Sequence, residues 1–179
     1  IGGGSTFSYS TFGCTHFPIE DLAIMRVLPN MIVTCPGDPK EVEALLVQIY
    51  EKSGPAYMRI AKKGEPIVHN SLSSIKLGII AEIKGGKDAA IIVTGRLLPV
   101  ASTAVDILEK EGYKVRLLSC HTLKPLDEET IVKAARETGA LVTCEEHSLI
   151  GGLASAVSEV LVRRNISCPV TNLGIPDEF

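Results

Sequence analysis

Short apolar runs alternate with longer, mixed stretches along this chain. The runs at 31–35, 56–61, 77–83, 89–94, 114–119, 140–144 and 169–173 have strand length and are nearly continuous in Val, Ile, Leu, Met and Ala. Such runs predict strands buried on both faces. Residues 18–28 read as a helix that opens at Pro18, carries Glu20 and Asp21 in its first turn and ends at Pro29. Asp38-Pro39-x-Glu41 supplies an N-cap, a proline at N1 and an acid at N3, so a second helix starts there. It runs to about Lys52, where Ser53-Gly54-Pro55 stops it. Further helices are predicted at 97–111, 127–138 and 152–164. Lys84-Gly-Gly-Lys-Asp88, between two runs, has the signature of a hairpin. Regular strand–helix alternation predicts an α/β fold with a mainly parallel sheet, one antiparallel edge strand and helices on both faces. A shorter α/β unit precedes it. The expected organisation is a first unit at 1–62, a Gly-, Pro- and Ser-containing linker at 63–74, and a second unit at 75–179.

Composition narrows the class. The 179 residues are 45% apolar but only 4% aromatic, without Trp, so aliphatic side chains must fill the core. A net charge of −3 and no cluster of Lys and Arg argue against a nucleic-acid surface. The apolar runs are far shorter than the roughly 18 residues that span a membrane. None of the five cysteines forms a Cys-x-x-Cys pair, and their odd number suggests reduced thiols. The chain opens on Ile1-Gly-Gly-Gly and stops at Pro176-Asp-Glu-Phe, so it reads as a section of something larger.

In parallel sheets ligands favour the carboxyl ends of strands. Those ends here are Thr94-Gly-Arg96, Ser119-Cys-His-Thr122 and Cys144-Glu-Glu-His147, the last followed by Ser148 and Gly151-Gly152. Glu145 or Glu146 could orient His147 for acid–base work. The simpler reading makes Glu145, Glu146 and His147 an interface hydrogen-bond network that also caps a helix. His69 and His121 have no partner at readable spacing, and four scattered histidines make no metal site. In the first unit, His16 sits in a Gly/Ser/Thr-rich loop before a helix, where free backbone N–H groups can meet an anionic or polar ligand. Arg59, Lys62 and Lys63 form a basic strand end.

Two blocks carry a family resemblance. Gly13-Cys-Thr-His-Phe-Pro-Ile-Glu-Asp-Leu, continuing through Arg26 to Pro29-Asn-Met, resembles the pyrimidine-binding domain of the transketolase family. Thr122-Leu-Lys-Pro-Leu-Asp-Glu-Glu, with Leu141-Val-Thr-Cys-Glu-Glu-His-Ser-Leu-Ile-Gly-Gly, resembles the transketolase C-terminal domain. The resemblance implies a cytoplasmic enzyme of carbohydrate and pentose phosphate metabolism. It would transfer a two-carbon ketol unit between sugar phosphates. The implied cofactor is thiamine diphosphate with a divalent metal whose ligands lie outside this chain. The implied assembly is a homodimer, or an α2β2 complex with an N-terminal transketolase subunit. His16 falls on the catalytic histidine facing the cofactor's reactive centre. Lys62 falls where many members bind the substrate phosphate by an arginine, and Arg59, three residues earlier, could take that part only if the strand end bends. Phe12 replaces an aspartate that often contacts a substrate hydroxyl, and no residue matches the glutamate that activates the cofactor. This section alone is therefore expected to be inactive, and its two-strand first unit is expected to expose apolar surface. 1-Deoxyxylulose-5-phosphate synthase, the β-subunit of a 2-oxo acid dehydrogenase and a non-catalytic assembly module are the alternatives. The Glu-Glu-His-Ser run resembles transketolase subunits more closely than the synthase.

Overall fold

The computed structural model describes residues 1–4, 16–62 and 64–178. The first unit holds β1 (Gly2–Gly3), α1 (Asp21–Val27), β2 (Ile32–Thr34), α2 (Pro39–Tyr50) and β3 (Ala56–Ile60). The second holds β4 (Ala81–Lys84), β5 (Ala89–Val93), α3 (Leu98–Lys110), β6 (Val115–Ser119), β7 (Thr122–Lys124), α4 (Glu128–Glu137), β8 (Leu141–Ser148), α5 (Leu153–Arg163) and β9 (Val170–Ile175). A 3-10 turn at Leu72–Ser74 interrupts the connection between them.

The α2 start is as the sequence requires. Asp38 caps it by accepting the Glu41 N–H at 2.9 Å, and Pro39 occupies the first turn. The α1 helix is shorter than expected. It begins at Asp21, so Pro18 lies in the entry loop, and it ends before Pro29.

The larger sheet has the order β4-β6-β5-β8-β9. Strands β6, β5, β8 and β9 run parallel, and β4 is the antiparallel edge. Successive β5 side chains serve opposite cores. Ala90 and Ile92 pack with Leu118, Ile131, Leu153 and Val157 under α4 and α5. Ile91 and Val93 pack with Leu98, Val105 and Leu117 under α3.

The hairpin expected at Lys84–Asp88 does not form, because β4 pairs with β6 rather than with β5. Lys87 and Asp88 both donate backbone N–H groups to the Lys114 carbonyl, which carries the connection across the start of β6. At Gly86 a Cβ would fall 2.4 Å from Arg116 N and from the Val115 carbonyl carbon. The glycine pair thus serves a close backbone approach, not a tight turn.

The smaller sheet has the order β1-β3-β2-β7. Strand β7 comes from the second stretch of chain and pairs antiparallel with β2. The first unit therefore builds on four strands rather than two. Leu22 and Val33 belong to the same buried cluster as Ile92, Leu118 and Leu153, so one core runs through both units.

Candidate functional site

The carboxyl end of β8 meets the first unit at α1. Arg59, 3% exposed, points from β3 into this seam. Its Nε donates to Asp21 Oδ2 at 2.9 Å, and its Nη2 pairs with Asp21 Oδ1. Its Nη1 donates to the Glu146 carbonyl at 2.7 Å, and Nη2 also donates to the Pro18 carbonyl at 2.8 Å. The Tyr57 hydroxyl donates to Asp21 Oδ2 at 2.7 Å. Burial alone would raise the Asp21 pKa, but the Arg59 hydrogen bonds and charge outweigh it and hold the carboxyl below its ordinary value. The same pairing overcomes burial at Arg59 and pushes the guanidinium up.

Glu145 caps α5. Its two oxygens accept the N–H groups of Leu153 and Ala154 at 2.6 and 2.8 Å, a placement the helix dipole favours. Burial still raises its pKa above the usual value, against those hydrogen bonds. His147 is fully buried. Its Nδ1–H donates to the Ser148 carbonyl at 2.7 Å, so Nε2 carries the lone pair and accepts the Ala23 N–H at 3.2 Å. Burial lowers its pKa. Glu145 Oε2 lies 3.8 Å from its Nδ1.

The Gly151-Gly152 pair is explained here too. A Cβ at Gly151, where φ is +81°, would meet the Ala23 Cβ at 2.6 Å, and one at Gly152 would meet Glu145 Oε2 at 2.0 Å. The glycines let the loop close against α1 and the Glu145 carboxylate. Arg26 of α1 donates back to the Gly151 carbonyl at 2.5 Å. Lys124, from β7, donates to the carbonyls of Arg26 and Leu28 at 2.9 and 2.6 Å.

A second buried seam lies at the α2 start. Glu41 Oε2 accepts the Gly37 N–H at 2.6 Å, and Oε1 meets His69 Nε2 at 2.6 Å and the Ser119 hydroxyl at 2.5 Å. Asp38 Oδ2 accepts the N–H groups of Val68 and His69, which pins the linker to α2. Burial lowers the His69 pKa, but the Glu41 contact outweighs it and the net shift is upward. His121 is buried, with Nδ1 2.9 Å from the Thr122 hydroxyl, and burial lowers its pKa.

The structure thus gathers Arg59, Glu146 and His147 around α1. The Arg59 donors are taken up inside the protein. Glu146 is 3% exposed and borders the crevice that Arg59, Thr94 and Arg96 line. Lys62 stands apart from this seam, exposed just past β3. It borders a cavity of about 360 Å³ with Gly37, Asp38, Val42, Ile60 and Glu65. His16 is exposed and precedes α1 by a few residues. Phe12 and Gly13 to Thr15 lie outside the described residues. Sequence reading missed Asp21 and Tyr57 as part of the Arg59 cluster, and it missed the contacts that join Glu41 to His69 and Ser119. Tyr57 and Arg59 are two residues apart on one strand, so they share a face. Two polar residues on one face of a short strand were the available signal.

Burial raises the pKa of every described thiol. It pushes Cys35 and Cys144 up to about 11. Among the described residues no group of three or more His, Cys, Asp and Glu could hold a metal ion. Among them, too, no helix is long and apolar enough to cross a membrane.

A parallel α/β domain with one antiparallel edge, sutured by buried charges to a smaller α/β unit that shares one of its strands, defines the class of protein. Residues 78–179 match the family model of the transketolase C-terminal domain, and residues 6–65 match that of the transketolase pyrimidine-binding domain. The chain belongs to the transketolase family. It is 36% identical over 169 residues to 1-deoxy-D-xylulose-5-phosphate synthase of Heliobacterium modesticaldum, covering 93% of this chain and 26% of that protein. It is 36% identical over 167 residues to a 6-deoxy-6-sulfo-D-fructose transketolase subunit of a Clostridium species, covering 93% of this chain and 52% of that one. Among solved structures, a split-gene transketolase described as an inactive β4 tetramer superposes with a TM-score of 0.87 at 40% identity. That match covers 98% of this chain and 56% of the other. The chain therefore spans between about a quarter and about half of the relatives it matches.

Proposed function

We propose that this chain is the C-terminal section of a cytoplasmic, thiamine diphosphate-dependent transketolase. It would act only when assembled with an N-terminal section, as a dimer or an α2β2 complex, on sugar phosphates. The observation that carries the reading is the likeness over 98% of the chain, at 40% identity, to a split-gene transketolase chain of similar architecture. The exposed apolar residues Val27 of α1 and Val47 and Tyr50 of α2, at 78%, 56% and 90% exposure, favour an assembly that covers them. The described residues do not fit a metal–diphosphate site. Asp21 is committed to Arg59, Asp38 to backbone N–H groups, and Glu41 to Gly37, His69 and Ser119. The cofactor's diphosphate and metal would be held by the remainder of the enzyme.

In this reading His16 hydrogen bonds the transferred fragment as charge develops on it. Lys62 grips the distal phosphate at the mouth of the cavity beside the α2 start, and Arg59 fixes the His16-bearing entry rather than touching substrate. The roles separate kinetically. In the assembled enzyme, His16→Ala lowers kcat by roughly 10- to 1,000-fold, as loss of one polar stabiliser of a transition state does. Lys62→Ala raises KM for phosphorylated substrates and spares unphosphorylated ones. A His16→Ala enzyme with kcat within about twofold of the parent removes His16 from the chemistry. The equal identity to the synthase keeps that activity as the second reading, and the same assembled enzyme is assayed for both reactions.

A further inference from the structure

We infer that His147 is a positioning residue for His16, acting across the seam through α1. The inference rests on the proposed role of His16.

Helix α1 has seven residues, too few to be stable alone, and its N-cap residue Glu20 makes no side-chain cap to it. The N–H of Ala23, in the first turn, is instead taken by His147 Nε2, 124 residues away in sequence. The entry just before the helix is held in the same manner. The Pro18 carbonyl accepts from Arg59, and the Ile19 carbonyl accepts the Ser148 N–H at 2.8 Å. At the far end of the helix, Lys124 takes the Arg26 and Leu28 carbonyls. Residues of the second unit therefore hold both ends of α1, with Arg59 of the first unit beside them at the entry. His16 stands two residues before Pro18, so it inherits the placement of this entry.

His147 suits the task because its ring cannot turn away. Its Nδ1–H is bound to the Ser148 carbonyl, the side chain is fully buried, and the Nε2 lone pair is left aimed at Ala23. The charged groups facing it are Glu145 on β8, Asp21 in the first turn of α1 and Arg59 on β3, and the Glu20 backbone lies within hydrogen-bonding reach of the ring. Protonation would put an N–H where the lone pair meets Ala23, so it is the neutral ring that takes that amide.

The test uses two variants of the assembled enzyme. His147→Gln keeps an acceptor near the Nε2 position, whereas His147→Leu keeps volume and removes it. Steady-state kinetics are read together with hydrogen exchange at the Ala23 amide. His147→Leu is expected to lower kcat by roughly 10- to 100-fold with little change in KM, since a small displacement of a reacting group has that cost. Its Ala23 amide should exchange at least about tenfold faster. His147→Gln should restore both to within roughly threefold of the parent. Equal losses in the two variants, or a His147→Leu enzyme with parental kcat and parental Ala23 protection, would overturn the inference. Should His147→Leu not assemble, the Gln variant decides alone: parental kcat and protection support the inference, and loss of both sinks it. His16→Ala is the control. If it leaves kcat unchanged, the His16 reading fails and the positioning role falls with it. If it lowers kcat while His147→Leu does not, the positioning role alone is wrong.

Discussion

Replacing Arg59 by Met is the sharpest perturbation of the seam. Met keeps most of the stem volume but removes a cation that is 3% exposed and serves three acceptor groups: the Asp21 carboxylate and the carbonyls of Pro18 and Glu146. The Asp21 carboxylate, 14% exposed, would then be left with the Tyr57 hydroxyl alone. Removing one partner of a buried pair costs about 3–5 kcal/mol, chiefly because the remaining charge stays buried. For a chain of this size each kcal/mol shifts Tm by roughly 2–4 °C, so a fall of about 6–20 °C is expected in a calorimetric or circular-dichroism melt. Neutralising the orphan should recover part of it. The Arg59→Met/Asp21→Asn double variant should be more stable than the sum of the two single losses by more than about 1 kcal/mol. The pH dependence gives a second check. Asp21 has a lowered folded pKa, so its contribution is present above the unfolded value near pH 3.9 and disappears as pH falls through the folded one. The acid-side loss attributable to Asp21 should vanish in Arg59→Met. A single-variant loss below about 1 kcal/mol, or strict additivity in the double variant, would refute the reasoning.

The His69–Glu41 contact makes the opposite pH prediction. His69 has a raised folded pKa, so its stabilisation is complete below the unfolded value of about 6.5 and is lost as pH rises through the folded one. Urea midpoints of parent and His69→Gln should therefore converge as pH rises from about 6 to about 9, and a gap that widens would contradict the assignment. Gly86→Ala should destabilise by about 1–3 kcal/mol, because its Cβ would strike the backbone of Val115 and Arg116. An unchanged denaturation midpoint would mean that residues 85–88 do not cross β6.

The α/β alternation was legible because each buried strand is a short apolar run with no competing period. The three helices of the second unit fall within two residues of their expected bounds. The pairing of β4 was not legible. Gly85-Gly86 has the same local chemistry whether it makes a hairpin or lies against another strand, and only the position of β6 decides. Strand β7 was missed for a related reason. It has three residues before Pro125, and its partner β2 lies some ninety residues earlier, so nothing local marks it. At the seam, the expectation for Glu145, Glu146 and His147 was an interface network that caps a helix; in the structure Glu145 caps α5, His147 takes the Ala23 N–H and Glu146 offers its carbonyl to Arg59. The exchange of partners across 38 residues between Arg59 and Asp21, or 78 between Glu41 and Ser119, has no period to reveal it. Asp21 and Glu41 looked like ordinary first-turn acids, and the dipole argument that explains such acids hides their inward role.

The most direct test of the proposed function is turnover on assembly. The chain is mixed with its N-terminal section, thiamine diphosphate and a divalent metal, and ketol transfer from a ketose phosphate to an aldose phosphate is followed. No turnover and no micromolar cofactor binding are expected for the chain alone, with activity appearing only in the mixture. Micromolar thiamine diphosphate binding by the isolated chain, or a fully assembled complex that transfers no ketol unit, would contradict it.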